Sequence, residues 1–476
     1  MPAILAATLA VSGCSMIVEV ERLERPDARD VDADVPRPDA LDADARTDID
    51  AGTDVAPCDP ALCEAACREI GYSHGNCSDD SCVCTMGADA DVGPDTDSAD
   101  HTVEDDAGGC RFVTSVPFNI VPTAADGDER PIALRSGAGF VFFGRPPGRV
   151  SAEGLWFQRV NLDGTAGEAG VWTLSSVELS SFHPIVELPS GGFATAFAVP
   201  EGAGVGIWLK VVPSNGTGGE VPRQVPGTND HSSEPSITYD GTDLVVAWTH
   251  TDSGTVEVRA QHFGSATGVA IGSPVTLAAG PSGTKEPHIL WGGTHHTLVY
   301  FDASDGALHV LALDGTLAEL AEHTLPPPSG HHFIGYPALA WNGTEFGLAW
   351  ETRGTVRAQL HFATFVPGGE PVEHDVLTDV PLSGTELGQV ALAWGNLTGE
   401  WGLAWRCTRT ARVVIALARI DATDFHTIEG PVDMRPESTT AWHPGLAYNN
   451  GFYMMSWIES AGSNYPIYVA THGCTP

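Results

Sequence analysis

Pro235-Ser-Ile-Thr-Tyr-Asp-Gly-Thr-Asp-Leu-Val-Val-Ala-Trp248 and Pro337-Ala-Leu-Ala-Trp-Asn-Gly-Thr-Glu-Phe-Gly-Leu-Ala-Trp350 are two copies of one pattern. A proline opens a short apolar run, an Asp-Gly or Asn-Gly pair supplies the positive φ angles of a tight hairpin turn, and a second run ends in tryptophan. The proline returns at Pro131, Pro184, Pro235, Pro287, Pro337 and Pro444, with Val390 in the remaining slot, at intervals of 53, 51, 52, 50, 53 and 54 residues. The closing aromatics are Phe143, Phe197, Trp248, Tyr300, Trp350, Trp405 and Trp457. A third run follows, as in Val256-Glu-Val-Arg-Ala-Gln-His-Phe263 or Val413-Val-Ile-Ala-Leu-Ala-Arg419, and Asp-Gly-Thr turns at Asp163 and Asp314 lead to a weaker fourth. Four strands per copy in seven copies predict a seven-bladed β-propeller with the aromatics packed between blades.

Closing such a ring needs an outer strand that the last copy lacks. Only 19 residues follow Trp457, enough for a third strand at Pro466-Ile-Tyr-Val-Ala-Thr471 but not a fourth. The segment Arg111-Phe-Val-Thr-Ser-Val-Pro-Phe-Asn-Ile-Val121 stands ahead of the first copy and is expected to supply it. Cys110 and Cys474 then lie at adjacent strand ends, and a disulfide between them is expected to lock the ring. Cys407, just past Trp405, is expected to be a buried free thiol.

Charge divides the rest of the chain. The 476 residues carry a formal net charge of -39, which excludes nucleic-acid binding through a basic surface. Residues 15–109 hold 26 Asp+Glu against 6 Arg, in stretches such as Asp30-Val-Asp-Ala-Asp-Val-Pro-Arg-Pro-Asp39 with no hydrophobic period. Such stretches bury too little surface to offset ordering entropy, so 15–57 and 85–109 read as disordered acidic linkers. No stretch is apolar for long enough to span a bilayer as a helix.

At the N-terminus, Ile4 to Val11 form a short apolar run followed by Val11-Ser-Gly-Cys14. This resembles the lipobox of bacterial lipoprotein signal peptides, although no Lys or Arg precedes Arg22. The resemblance implies that residues 1–14 are signal peptide and lipidation site, with Cys14 the lipidated first residue of the mature chain. It also implies a membrane partner through the lipid anchor. Ser15 after the cysteine favours the outer membrane in the Gram-negative pattern, so the expected location is the bacterial outer membrane or cell surface.

Six more cysteines fall within 58–84, as Cys58-x4-Cys63-x3-Cys67-x9-Cys77-x4-Cys82-x-Cys84. In an exported chain disulfides are the favoured reading, and a zinc site is the other. The Cys-x3-Cys step suits one face of a helix, and Cys-x-Cys one face of a strand. With Gly75-Asn-Cys77, the spacing resembles the cysteine-stabilised αβ fold of defensins. That resemblance implies a small disulfide-rich αβ module with bridges Cys58 to Cys77, Cys63 to Cys82 and Cys67 to Cys84. Asp59, Glu64, Glu69, Asp79 and Asp80 outweigh Arg68 and argue against membrane-disrupting action. The full expectation is mainly β, with this module and its linkers ahead of a propeller spanning 110–476.

The repeats resemble the degenerate propeller repeats of exported bacterial proteins, with their Asn-Gly-Thr turn and Val-Val-Trp-like strand. That family implies a fold more than a function. Ser304-Asp-Gly306 does not fit a sialidase-type Asp box, Asp126-Gly-Asp-Glu129 is not a calcium loop, and there is no Gly-x-Ser-x-Gly, His-Glu-x-x-His or phosphate loop. His295-His296 and His331-His332 read as solvated loop elements. No metal and no cofactor is expected. The residue before each repeat proline begins an innermost strand, so Arg130, His183, Glu234, Glu286, Tyr336, Gln389 and His443 converge on one mouth of the central channel. This ring is the candidate ligand site.

Two function classes follow. The leading expectation is a surface-anchored recognition or scaffold lipoprotein, not an enzyme, whose monomeric propeller binds a glycan or protein partner. The alternative is an exported polysaccharide hydrolase or lyase with its active site at the channel mouth, with Glu234 and Glu286, or His183 and His443, as acid and base.

Overall fold

The computed structural model describes residues 74–78, 81–85 and, between 111 and 475, all but 115–117, 122–130, 137–138, 145–153, 174–183, 202–203, 214–220, 229–231, 281–285, 355–357, 376–389, 410–411, 435–440 and 460–465. Two compact units divide the chain, one holding residues 20–105 and the other residues 1–19 and 106–476. No described residue is helical, so no described helix can cross a membrane.

The larger unit is a seven-bladed propeller of antiparallel sheets, the first six running in sequence order from the inside out. Blade 1 opens with Ile132–Ser136, blade 2 with Ile185–Glu187, blade 3 with Ser232–Tyr239 and blade 4 with His288–Trp291. Blades 5, 6 and 7 open with His332–Trp341, Val390–Gly395 and Ala441–Asn449. Blade 7 takes its outer strand from the beginning of the propeller, because Arg111–Thr114 and Phe118–Val121 both pair with Ile467–Thr475.

Seven apolar clusters lie one between each pair of neighbouring blades. The one joining blades 7 and 1 contains Ala133, Phe140, Phe142, Met454, Ile458 and Val469, so the ring is shut by packing as well as by hydrogen bonds. All seven repeat aromatics are buried. Trp248, Tyr300, Trp350, Trp405 and Trp457 share one height and face the preceding blade. In blades 1 and 2 the register moves on, since Ile132 pairs with Phe143 and Ile185 with Thr195. Phe143 and Phe197 therefore meet in one cluster between those two blades.

Small residues make the close packing possible. A Cβ at Gly402 would come within 2.2 Å of the Tyr453 ring, and one at Gly347 within 2.8 Å of Trp401. Hairpin turns follow the sequence pattern: the Asp240 carboxylate accepts from the amides of Thr242 and Asp243, with Gly241 at φ 97°.

The cysteine-rich region departs from the expectation. The described part of the cysteine-rich region is a hairpin of His74–Ser78 with Ser81–Thr85, with no helix and no disulfide among the described residues. It is not a defensin-like αβ module. Cys77 and Cys82 are Cα partners across the hairpin, where the resemblance sent each to a separate bridge with Cys58 and Cys63. Cys58, Cys63, Cys67 and the lipidation residue Cys14 lie outside the described residues. So does Cys110; the closing ladder sets Phe112 opposite Cys474. Cys407 lies in the second strand of blade 6, paired with Val414.

Candidate functional site

The innermost strands do not run straight past the repeat proline. In blade 3 Ser233 pairs with Thr249 and Ser236 with Ala247, so Glu234 and Pro235 together face the single residue Trp248. In blade 7 Trp442 pairs with Ile458 and Gly445 with Ser456, leaving His443 and Pro444 opposite Trp457. In blade 5 Ile334 pairs with Glu351 and Ala338 with Ala349, so Gly335, Tyr336 and Pro337 share Trp350. Each is a β-bulge, and a bulge re-aims the side chain it carries.

The backbone at these positions is unusual. Glu234, Glu286 and His443 have φ of 52°, 38° and 54°, in the left-handed region, although each has a Cβ and precedes a proline. A residue before proline prefers extended geometry, and a left-handed non-glycine costs on the order of 1 to 3 kcal/mol. In blade 5 the left-handed residue is Gly335, at φ 69°, and Tyr336 follows it. The proline is apolar and buried in blades 3, 4 and 5, so the repeat anchors the proline inside while the residue before it turns out.

Two of these positions meet. The Tyr336 hydroxyl donates to Glu234 Oε2 at 3.3 Å, across two blades. His288, just beyond the proline of blade 4, stands edge-on to the Tyr336 ring at 6.3 Å. The inner strands of blades 3 and 4 are latched side by side, because the amides of Ile289 and Trp291 donate to Ser236 Oγ and Thr238 Oγ1, each at 3.1 Å. Glu234, Glu286, Tyr336 and His443 are all half-buried, open enough to meet a ligand. Arg130, His183 and Gln389 lie outside the described residues.

Sequence reasoning missed two neighbours of the ring. His288 sits one place after the repeat proline, where other copies carry Ser236, Ala338 and Gly445. Arg406 follows Trp405, and its guanidinium lies 5.8 Å over the ring of Trp442, next to His443.

The histidine pairs fit the expected solvated loop elements only in part: His295 lies in a bend and His332 is exposed, but His296 departs from the expectation. His296 begins the second strand of blade 4 and is fully buried, with its Nε2 3.9 Å from Asp240. Burial pushes its imidazole down to about 4, against the pull of Asp240. His331 is half-buried and meets Thr352 Oγ1 at 3.2 Å. Asp421, Asp424 and His426 come close together in a turn of blade 6, but Asp421 accepts from the amide of Thr423 and Asp424 is bonded to His426, so the turn itself accounts for the cluster.

No protein-family model and no curated protein matches the chain. Solved structures do. A protein of unknown function from Dyadobacter fermentans is 11% identical, with 76% of this chain and 100% of that one covered at a TM-score of 0.45. The polysaccharide lyase Uly1 is 11% identical, with 74% and 90% covered at 0.44. An endo-arabinase from Bacteroides thetaiotaomicron is 10% identical, with 65% and 99% covered at 0.38. Likeness of this size transfers no residue and no activity. Two of these three neighbours carry the names of enzymes; it is the left-handed backbone at the mouth, and not that likeness, before which the expectation of a recognition or scaffold module without catalysis gives way.

Proposed function

We propose that the chain is a hydrolase or lyase acting on polysaccharide, with its active site at the channel mouth formed by Glu234, Glu286, Tyr336 and His443. The observation that carries this reading is the left-handed backbone at Glu234, Glu286 and His443, each directly before a proline. Strain of this kind persists where the surrounding structure imposes it, and it clusters at active sites. Here it turns two carboxylates and an imidazole out of the sheet, where a glycine would sit at lower cost.

The groups suit acid and base work on a glycosidic bond. In hydrolysis, the proton leaving the attacking water goes to one carboxylate as the water oxygen bonds the anomeric carbon. The sugar oxygen of the breaking bond takes up a proton from the second, protonated carboxyl. The lipobox-like Val11-Ser-Gly-Cys14 supports a location at the outer membrane or cell surface.

The test is fragment release by the purified full chain from a panel of neutral, uronate and amino polysaccharides. Reducing ends report hydrolysis, and the ultraviolet absorbance of an unsaturated end reports elimination. Glu234→Gln and Glu286→Gln should each lower release by about 100-fold or more. Retention of a polysaccharide without release by the wild type overturns the reading.

A further inference from the structure

The contact between Tyr336 and Glu234 has a direction. An unperturbed phenol loses its proton near pH 10 and a glutamic acid near pH 4.3, so at neutral pH the hydroxyl donates and the carboxylate accepts. A hydrogen bond to the charged form favours that form.

Tyr336 is built to hold this bond. It sits in the bulge of blade 5, between left-handed Gly335 and buried Pro337, and its ring is edged by His288. The bond occupies Glu234 Oε2.

We propose that Tyr336 is a positioning residue that keeps Glu234 in its carboxylate form, so that Glu234 enters the reaction as base or nucleophile rather than as proton donor. This rests on reading the mouth as a hydrolase or lyase site. It divides the labour of the ring: a proton from water or substrate goes to Glu234, and the departing sugar oxygen is protonated by another group, for which Glu286 is placed on the adjacent blade. Among the described residues, the other ionisable groups near this part of the mouth include His288 on blade 4, His250 and Asp252 on blade 3's second strand, and Glu351 on blade 5's second strand. Glu187 and Lys210, both half-buried, stand on the packed blade 2, and Lys210 alternates away from Leu209 and Val211, which face blade 3.

The experiment needs no substrate. Full-length protein labelled with 13C at the glutamate carboxyl carbons is titrated by NMR as wild type, Tyr336→Phe and Glu234→Gln, the last assigning the Glu234 signal. In the wild type Glu234 should titrate at or below the ordinary glutamate range, and Tyr336→Phe should raise its proton affinity about tenfold. The phenylalanine keeps the ring, and an unchanged melting temperature confirms the fold. A Glu234 signal that does not move in Tyr336→Phe, or that titrates well above the ordinary range in the wild type, overturns the proposal. The reading of the mouth as an active site fails separately, when wild-type protein releases nothing from any polysaccharide.

Discussion

His361 lies flat on Trp350, ring centroids 5.1 Å apart and planes 6° from parallel, and the same pair recurs one blade earlier as His309 on Tyr300 at 4.9 Å and 5°. In both blades the imidazole comes from the third strand, directly opposite the repeat aromatic. In both it also reaches an outer-strand carboxylate, Glu373 at 2.5 Å or Glu322 at 2.8 Å. The second, third and fourth strands are thereby tied through one side chain. In blade 5 the tie extends inward, since His361 Nε2 meets Thr352 Oγ1 at 2.8 Å and that hydroxyl meets His331. His361→Ala should lower stability by about 2 kcal/mol, from the lost stack and hydrogen bonds together. Chemical unfolding checks this, and a loss near zero would show that the stack only fills space.

Arg419 is held in blade 6 by both oxygens of Glu400, at 2.8 and 2.6 Å, and by Glu429 at 3.0 Å. Glu429 in turn accepts from His472 of blade 7 at 3.0 Å. Burial pushes the Glu429 carboxyl up, but His472 and Arg419 outweigh it and hold the group below its ordinary range. Arg419→Met leaves Glu400 buried without its cation and should cost about 3 to 5 kcal/mol. Combining it with Glu400→Leu should recover most of that loss, and thermal melts of the two variants distinguish a required charge pair from a replaceable one.

His296 titrates at about 4 in the folded chain, below the value near 6.5 of an exposed histidine. The unfolded state therefore binds more protons than the folded state between those two values. The stability this group contributes is complete above about pH 6.5 and falls as pH drops toward about 4, by about 3 kcal/mol in all. Urea unfolding across that interval should show the slope, and His296→Gln should flatten it.

Glu234→Gly should stabilise the propeller while removing its activity. Glycine adopts the left-handed backbone freely, so relief of strain at φ 52° should add about 1 kcal/mol. His443→Gly should behave the same way. A fall in melting temperature for both would show that the side chains hold the mouth together instead of being displayed by it.

The propeller was legible in the sequence because its period is carried by residues with strong backbone consequences. Proline, the Asn-Gly or Asp-Gly turn and a terminal aromatic recur at nearly constant spacing. Of the ring positions, the bond from Tyr336 to Glu234 brings two together, but the residue before the proline does not open the inner strand: Ser232–Tyr239 and His332–Trp341 begin ahead of it and His288–Trp291 after it. The bulges were not legible, since nothing in Ser-Glu-Pro-Ser announces that Glu234 and Pro235 will share one partner. His296 was misplaced because a histidine pair after Gly-Gly-Thr looks like a turn, while the strand begins at its second member. The cysteine-rich stretch failed differently. Cysteine spacing alone admits many pairings, and the hairpin register that sets Cys77 against Cys82 is not written in that spacing.

The pairing of Arg111–Thr114 with the strand that ends at Thr475 also bears on how the protein is made. Blades 1 to 6 grow from hairpins whose strands are neighbours in sequence, so they can form while the chain is still being synthesised. The last blade has no such freedom, because one of its strands precedes blade 1 in sequence and the others follow blade 6. Contacts this distant in sequence form slowly. Until they do, Phe140 and Phe142 on one side and Met454 and Val469 on the other have no blade to cover them. Each newly made copy therefore passes through an open arc with two adhesive ends, and in a crowded compartment two such arcs can join each other before either has closed.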